Sequence, residues 1–275
     1  MYADDLKLCI KIENVNDAEL LQTAMNNLHH WCSVNQMNLN VEKSKCISFT
    51  RKKKTNIFLY DYNINSMKLN RCELMNDLGV LVDYELRMNE HVDTIVSKAR
   101  RNLGFVKRLS RQFMDPYVCK TLYCALVRPT LEYCSVSWNP YTLTQINSIE
   151  SVQKQFLIFV LKGIVWSDPF CLPPYLDRLM LLNMESLNDT RTRCDANFMY
   201  QLMNDLIDSP YLLETLSQNP SCYATRNRNV LVQNVTSTNF CHYEAMNHLT
   251  RLYNDKTDLF LTHSMTSFKK NFNVH

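Results

Sequence analysis

The sequence predicts an α+β fold in which antiparallel strands around one helix precede a mostly helical remainder. Up to about residue 86, apolar residues alternate or form β-branched and aromatic runs, which is typical of strands. From about residue 89 onward, apolar residues recur every three or four positions, as on one face of a helix. Hydrophobic residues make up 46% of the 275 positions, so we expect a globular protein with a real core.

The N-terminal part has strand-like runs on both sides of one helix-like segment. Behind the acidic pair Asp4–Asp5, the run LKLCIKI alternates apolar residues and predicts the returning strand of a hairpin. The segment 16–33 predicts an amphipathic helix, with Asn16 as N-cap and Glu19 completing a capping box. Further strands are predicted from the runs KCISFT, IFLYDYNINSMKL and ELMNDLGVLVDYEL.

Helical periodicity organises the rest of the chain. The segment 89–113 predicts a helix with an apolar stripe formed by Val92, Ile95, Val96, Ala99, Leu103, Val106 and Leu109. Asp115 and Pro116 predict the start of a second helix, and 144–162 predicts another that ends at Gly163. The proline-rich stretch WSDPFCLPPYL is the best candidate linker. The predicted domain ranges are 1–86, 87–165 and 166–275.

Charge is strongly segregated along the chain. Residues 1–42 hold two bases and six acids, residues 43–111 hold fifteen bases and seven acids, and residues 112–275 hold thirteen bases and fourteen acids. The predicted helix carries six bases and no acid between positions 98 and 111: Lys98, Arg100, Arg101, Lys107, Arg108 and Arg111. A merely solvated helix is the alternative, but such a helix normally mixes both signs. This segment therefore predicts contact with a nucleic-acid backbone.

Composition argues against several other classes of protein. Three glycines are too few for a P-loop or a dinucleotide-binding loop. The sequence contains no C-x-x-C pair, so a zinc site is not expected. Eleven cysteines are an odd, scattered set, which favours reduced thiols over a disulfide framework. The N-terminus is acidic, and no apolar run approaches 18 residues. We expect an intracellular protein, nuclear or cytoplasmic, that is neither secreted nor bound to membrane.

Carboxylates and one lysine are the candidate catalytic groups. Asp4 and Asp5 at a hairpin tip predict a Mg²⁺ site, because this hard ion binds one or two carboxylates together with substrate phosphates. A simple Asp-Asp turn is the alternative. Lys43 lies in a connector between the helix and a strand, where it could contact a phosphate or donate a proton to leaving pyrophosphate. The alternative is a solvated lysine.

Several short motifs also occur in a distinctive order. They are YADD at 2–5, W-x-x-x-N at 31–35, LNVEKS at 39–44, LGVLVD at 78–83, HVDTI at 91–95 and LVRPTLEYCSVSWNP at 126–140. Together they resemble the reverse transcriptases of non-LTR retrotransposons, in particular jockey-like elements. The resemblance covers nearly the whole chain, and its specificity comes from the combined order rather than from any single motif.

This resemblance implies a fold, a reaction and roles for individual residues. The fold would be a partial polymerase palm, followed by a mostly α-helical thumb and a C-terminal helical region. The reaction would be two-metal nucleotidyl transfer with Mg²⁺, on an RNA template and a DNA primer. Asp4 and Asp5 would be catalytic metal ligands, Lys43 the pyrophosphate-side group, and Tyr2 the residue that places the primer end. The primer grip would contain Leu78, Gly79 and Val80, and the bases of the predicted helix would follow the duplex.

The resemblance also implies that a part of the enzyme is missing. In this family the aspartate pair follows the fingers and most of the palm, including the strand with the partner metal-binding aspartate. We therefore expect a truncated reverse transcriptase that is inactive alone. Two alternatives remain: a non-catalytic nucleic-acid-binding module, and an inert remnant or helical interaction protein with no nucleic-acid affinity.

Overall fold

The computed structural model describes residues 5–51, 58–112, 115–162, 172–216, 230–233, 236, 238–260 and 265–271. The chain divides into two compact units, Met1–His91 and Val92–His275. The three-part division of the sequence stays a prediction. None of the helices formed by the described residues combines the length and apolar content that a membrane crossing requires.

Unit 1 contains one long helix and short strands among its described residues. They are α1 (Val15–Val34), β1 (Lys45–Cys46), β2 (Asn63–Ile64), β3 (Met67–Lys68), β4 (Asn70–Arg71), β5 (Leu74–Asp77) and β6 (Val80–Asp83). Helix α2 (Asn89–Ser110) begins at the end of this unit and continues into unit 2. The mixed α+β class predicted from the sequence is confirmed.

Helices are the main regular elements among the described residues of unit 2. Its further helices are α3 (Pro116–Leu126), α4 (Arg128–Glu132), α5 (Ser135–Trp138), α6 (Leu143–Val160), α7 (Tyr175–Leu181), α8 (Leu187–Met203), α9 (Pro210–Glu214), α10 (Asn239–Tyr243), α11 (Ala245–Asp255), α12 (Thr257–Phe260) and α13 (Met265–Asn271). Asp115 caps α3 by accepting the Val118 N–H at 2.9 Å, as predicted. The predicted helix end at Gly163 and the first part of the candidate linker lie outside the described residues.

Strand pairing corrects the prediction of purely antiparallel strands. The pairs β2–β3 and β5–β6 are antiparallel hairpins, but β1 pairs with β4 in parallel. The β5–β6 turn is formed by Leu78 and Gly79, with φ of 47° and 90°. Two consecutive residues with positive φ match the right-handed twist of a two-residue hairpin, and glycine adopts this conformation without steric strain.

The opening run LKLCIKI does not form the predicted strand. Asp5 makes an isolated bridge, but residues 6–12 lie outside any strand, and Leu6, Leu8 and Ile10 are exposed. A strand exists only where a second backbone satisfies its N–H and C=O groups, and no described segment pairs with these residues. The strand predicted for this run is therefore wrong, because apolar alternation does not determine whether a pairing partner is present.

Helix α1 has its N-cap two residues earlier than predicted. Asn14, rather than Asn16, is the N-cap, and its side chain accepts the Asp17 N–H at 3.2 Å. The Asp17 carboxylate accepts the Asn14 N–H in return, which completes the capping box. The helix packs on β2 and β3 through a small core of Ala18, Met25, Tyr62, Ile64 and Leu69.

Unit 2 contains a buried polar network as well as an apolar core. Arg191 on α8 is fully buried, and burial lowers its pKa although the Glu150 and Asp195 carboxylates oppose that shift. Glu150 accepts the Leu187 N–H at 3.2 Å, and Asp195 accepts a hydrogen bond from Asn139 at 2.7 Å. The guanidinium nitrogens of Arg191 are themselves buried without a hydrogen-bond partner among the described residues, so its charge is offset only by the nearby carboxylates of Glu150 and Asp195.

One carboxylate organises the connection from β6 to α2. Asp83 accepts the backbone N–H groups of Glu85, Arg87 and Met88 at 2.8–3.1 Å. Leu86 and Met88 have φ of 56° and 58°, a left-handed conformation that is unfavourable for residues with a side chain. The Asp83 carboxylate holds this strained turn together and sets the point at which α2 begins.

We predict that Asp83→Ala lowers the free energy of unfolding by about 1–3 kcal/mol, because three backbone donors lose a charged acceptor. Asp83→Asn keeps one acceptor oxygen and should lose less. Urea denaturation measures the change, with Asp208→Ala at an exposed position as the matched control. If Asp83→Ala behaved like this control, the turn would not depend on the carboxylate.

His91 makes a second connection between β6 and α2. Its side chain is 2% exposed, and Nδ1 accepts the Leu81 N–H at 3.2 Å, so this nitrogen is unprotonated. Burial lowers the pKa of His91 below its ordinary value. The unfolded chain consequently binds a proton at this histidine more readily than the folded chain does. Protonation of His91 therefore lowers the free energy of unfolding.

We predict that the free energy of unfolding decreases as the pH falls below about 6.5, the ordinary pKa of histidine. The contribution of neutral His91 to stability should be fully present above this pH. His91→Gln keeps an acceptor oxygen but cannot titrate, so its stability should change less between pH 7.5 and 5.5. Urea denaturation of both proteins at the two pH values tests this. Parallel losses in the two proteins would exclude His91 as the source.

Candidate nucleic-acid interface

Helix α2 buries one side and exposes the rest. Apart from His91 near its start, its buried residues recur at helical spacing: Val92, Ile95, Val96, Ala99, Leu103, Val106 and Ser110. Leu109, which the sequence placed on this stripe, is 37% exposed instead. At 100° per residue, position 110 continues the line of 103 and 106 more closely than position 109 does, which explains the difference.

Four of the six predicted bases lie on, beside or just after the exposed part of α2. Arg101 and Arg108 are exposed and lie opposite the buried stripe, seven residues or about 10 Å apart along the axis. In the part of the chain that the structure describes, neither guanidinium forms a salt bridge, and no acid follows Asp93 on this helix. Lys98 is exposed on one flank, and Arg111 follows the helix end. We call Arg101 and Arg108 the outer pair.

Two of the six bases face α6 instead. The Arg100 guanidinium donates to Ser151 Oγ at 3.1 Å, and Lys107 Nζ lies 5.7 Å from the centroid of the Phe159 ring. Burial lowers the pKa of Lys107. The sequence could place these residues off the apolar stripe, but it could not show that a neighbouring helix engages them.

The candidate catalytic residues are only partly described. Tyr2 and Asp4 lie outside the described residues, whereas Asp5 is exposed and outside any helix. Lys7, two residues later, forms an ion pair with Asp77 at the end of β5. This contact brings the segment that follows Asp5 to the hairpin that contains Leu78, Gly79 and Val80.

Lys43 is not joined to this arrangement. Its backbone N–H donates to the Asn40 side chain at 3.1 Å, which shapes the turn before β1, and its side chain is exposed. Among the described residues, no hydrogen bond or salt bridge connects Lys43 with Asp5. The roles of Lys43, Leu78, Gly79 and Val80 stay predictions.

The proposed Mg²⁺ site stays a prediction as well. Aspartate oxygens are suitable ligands for this ion, and Asp5 is accessible. Asp4, the other proposed ligand, lies outside the described residues, and within those residues no three side chains of suitable type form a metal-binding group. The described geometry supplies no ligand set from which a catalytic step could be derived.

We compared the chain with protein-family models, with curated proteins and with solved structures. No family model matches, and neither the curated proteins nor the solved structures contain a match.

Proposed function

We propose that this protein binds a nucleic-acid duplex through the exposed side of α2, as part of a reverse transcriptase of the non-LTR retrotransposon type. The observation that carries the proposal is the outer pair, Arg101 and Arg108, in an acid-free stretch from 94 to 112. Guanidinium groups on a rigid helix form charge-assisted hydrogen bonds with phosphate oxygens. Neutralising phosphates also releases condensed counterions, which favours binding.

The partner that the proposal names is an RNA–DNA duplex. Side chains rarely reach base edges in the deep major groove of A-form helices, so contacts to phosphates and to overall shape dominate recognition. The arginines of the outer pair suit such contacts, because they read the backbone and not the sequence. We therefore expect low sequence preference and a strong dependence on salt.

Nucleotidyl transfer is the wider part of the proposal and rests on the sequence resemblance. The Lys7–Asp77 ion pair supports it, because it brings the segment behind the aspartate pair to the hairpin that would grip the primer. The reaction would be template-directed DNA synthesis that depends on Mg²⁺. In line with the expectation of a protein that is inactive alone, we expect no primer extension by the purified protein; extension that is present in the wild type and lost in Asp5→Asn would overturn this expectation, separately from binding.

We predict that Arg101→Gln/Arg108→Gln weakens binding to a blunt RNA–DNA duplex by roughly 50-fold at 0.1 M salt, since each phosphate contact contributes slightly less than tenfold there. The slope of log affinity against log salt should become shallower by about 2. Fluorescence anisotropy over a series of salt concentrations measures both quantities.

The control is Lys11→Gln/Lys68→Gln, which removes the same charge from two exposed ion pairs in unit 1. It should retain most of the affinity, because its effect on net charge alone is long-range and screened by salt. Equal affinity of the outer-pair variant and the wild type would rule out α2 as the contact surface. No binding by the wild type at low salt would instead favour an inert or purely protein-binding role.

A further inference from the structure

A groove between α2 and α6 has the lining expected of a nucleotide site. Its volume is about 420 Å³, and it is widely open to solvent. Lys107 lines it from α2, and Gln155, Ile158, Phe159 and Lys162 line it from α6 and the residues just beyond. Of the residues that line this groove, only Lys107 belongs to the binding surface predicted from the sequence. No local sequence pattern connects Lys107 with residues about fifty positions later.

The charge of this groove favours an anion. Both ionisable residues of its described lining are lysines, and Lys162 is exposed. Burial already lowers the pKa of Lys107, so its charged form lacks part of the stabilisation that water gives. A phosphate placed between the two ammonium groups would restore that stabilisation.

The other lining residues suit a planar, polar ring. The Phe159 ring is half-buried, and Lys107 Nζ lies over it at 5.7 Å from the ring centroid, so a base that stacks on this face would also meet the ammonium group. Stacking on an aromatic face accepts any base, and the Gln155 amide can donate to and accept from a base edge. Phosphate contacts and a stacking face together indicate a nucleotide rather than an inorganic anion.

The groove and the outer pair are neighbours on α2. Lys107 and Arg108 are consecutive residues, so their side chains diverge by about 100° around the helix axis. One nucleic acid can therefore contact both. A base inside a duplex has both faces stacked and cannot reach Phe159, whereas an unpaired base beside the duplex can.

We propose that this groove binds an unpaired nucleotide of a single-stranded extension, next to the duplex held by the outer pair. This inference rests on the proposed function and adds its ligand class: a duplex with a single-stranded end, with Phe159 stacking the base and Lys107 and Lys162 contacting its phosphates. Gln155 contacts the base edge.

The test compares a blunt RNA–DNA duplex with the same duplex carrying a four-nucleotide RNA extension. The extension should tighten binding by the wild type roughly tenfold, as expected for stacking of one base. Phe159→Leu should abolish this gain and leave the affinity for the blunt duplex unchanged. Phe105→Leu is the matched control, because Phe105 is an exposed phenylalanine of α2 that does not line the groove; it should keep the gain.

A second variant and a second probe make the result independent of how well Phe159→Leu folds. Lys162→Gln changes an exposed residue and should reduce the gain and its salt dependence. A 2-aminopurine base in the extension should lose fluorescence on binding to the wild type but keep it with Phe159→Leu. An extension that brings no gain, or a gain that survives both groove variants, overturns the proposal.

Failure of the proposed function gives a different result. In that case the blunt duplex would not bind, or the outer-pair variant would bind it normally. A free single-stranded RNA tetranucleotide then tests the groove by itself: binding lost in Phe159→Leu but kept in Phe105→Leu supports the groove, and equal binding by all three proteins overturns it.

Discussion

Burial of one side of α2 is the constraint on which the candidate interface depends. A helix of this length can face a core along only one stripe, and each fully buried aliphatic residue such as Val92 or Leu103 contributes roughly 1.5–3 kcal/mol. Rotating the helix would expose these residues and bury guanidinium groups, whose desolvation is far less favourable. The positions of Arg101 and Arg108 therefore follow from packing. The surface offered to a polyanion is a consequence of where the apolar residues must go.

In the connection between β6 and α2, a residue of a sequence motif has a structural role. Asp83 ends the LGVLVD motif, and its carboxylate accepts three backbone N–H groups of a turn with left-handed residues. His91 adds a buried contact from the helix back to the strand. These contacts join the Gly79 hairpin to the start of α2 within a few residues. The LGVLVD motif and the start of the HVDTI motif therefore form one continuous piece of structure.

The interior of unit 2 combines apolar packing with buried charge. Arg191 is enclosed near Glu150 and Asp195, and Arg128 donates to Glu132 at 2.7 Å. Such networks often add little net stability, but removing one member leaves an uncompensated charge inside the protein. They restrict how the helices can pack, since the buried Arg191 guanidinium has no hydrogen-bond partner among the described residues and depends on the nearby carboxylates to offset its charge. Glu150 belongs to α6, so these buried groups also restrict the packing of a helix that lines the groove beside α2.

The sequence by itself determined features that depend on neighbouring residues: the two sides of α2 and the cap at Asp115. Periodicity and capping side chains both act within a few positions. Tertiary structure alone decided which segments meet. The run LKLCIKI has a strand pattern but no paired backbone among the described residues, and Lys107 lies over the ring of Phe159 on α6. Pairing and packing join residues far apart in sequence, so no local pattern encodes them.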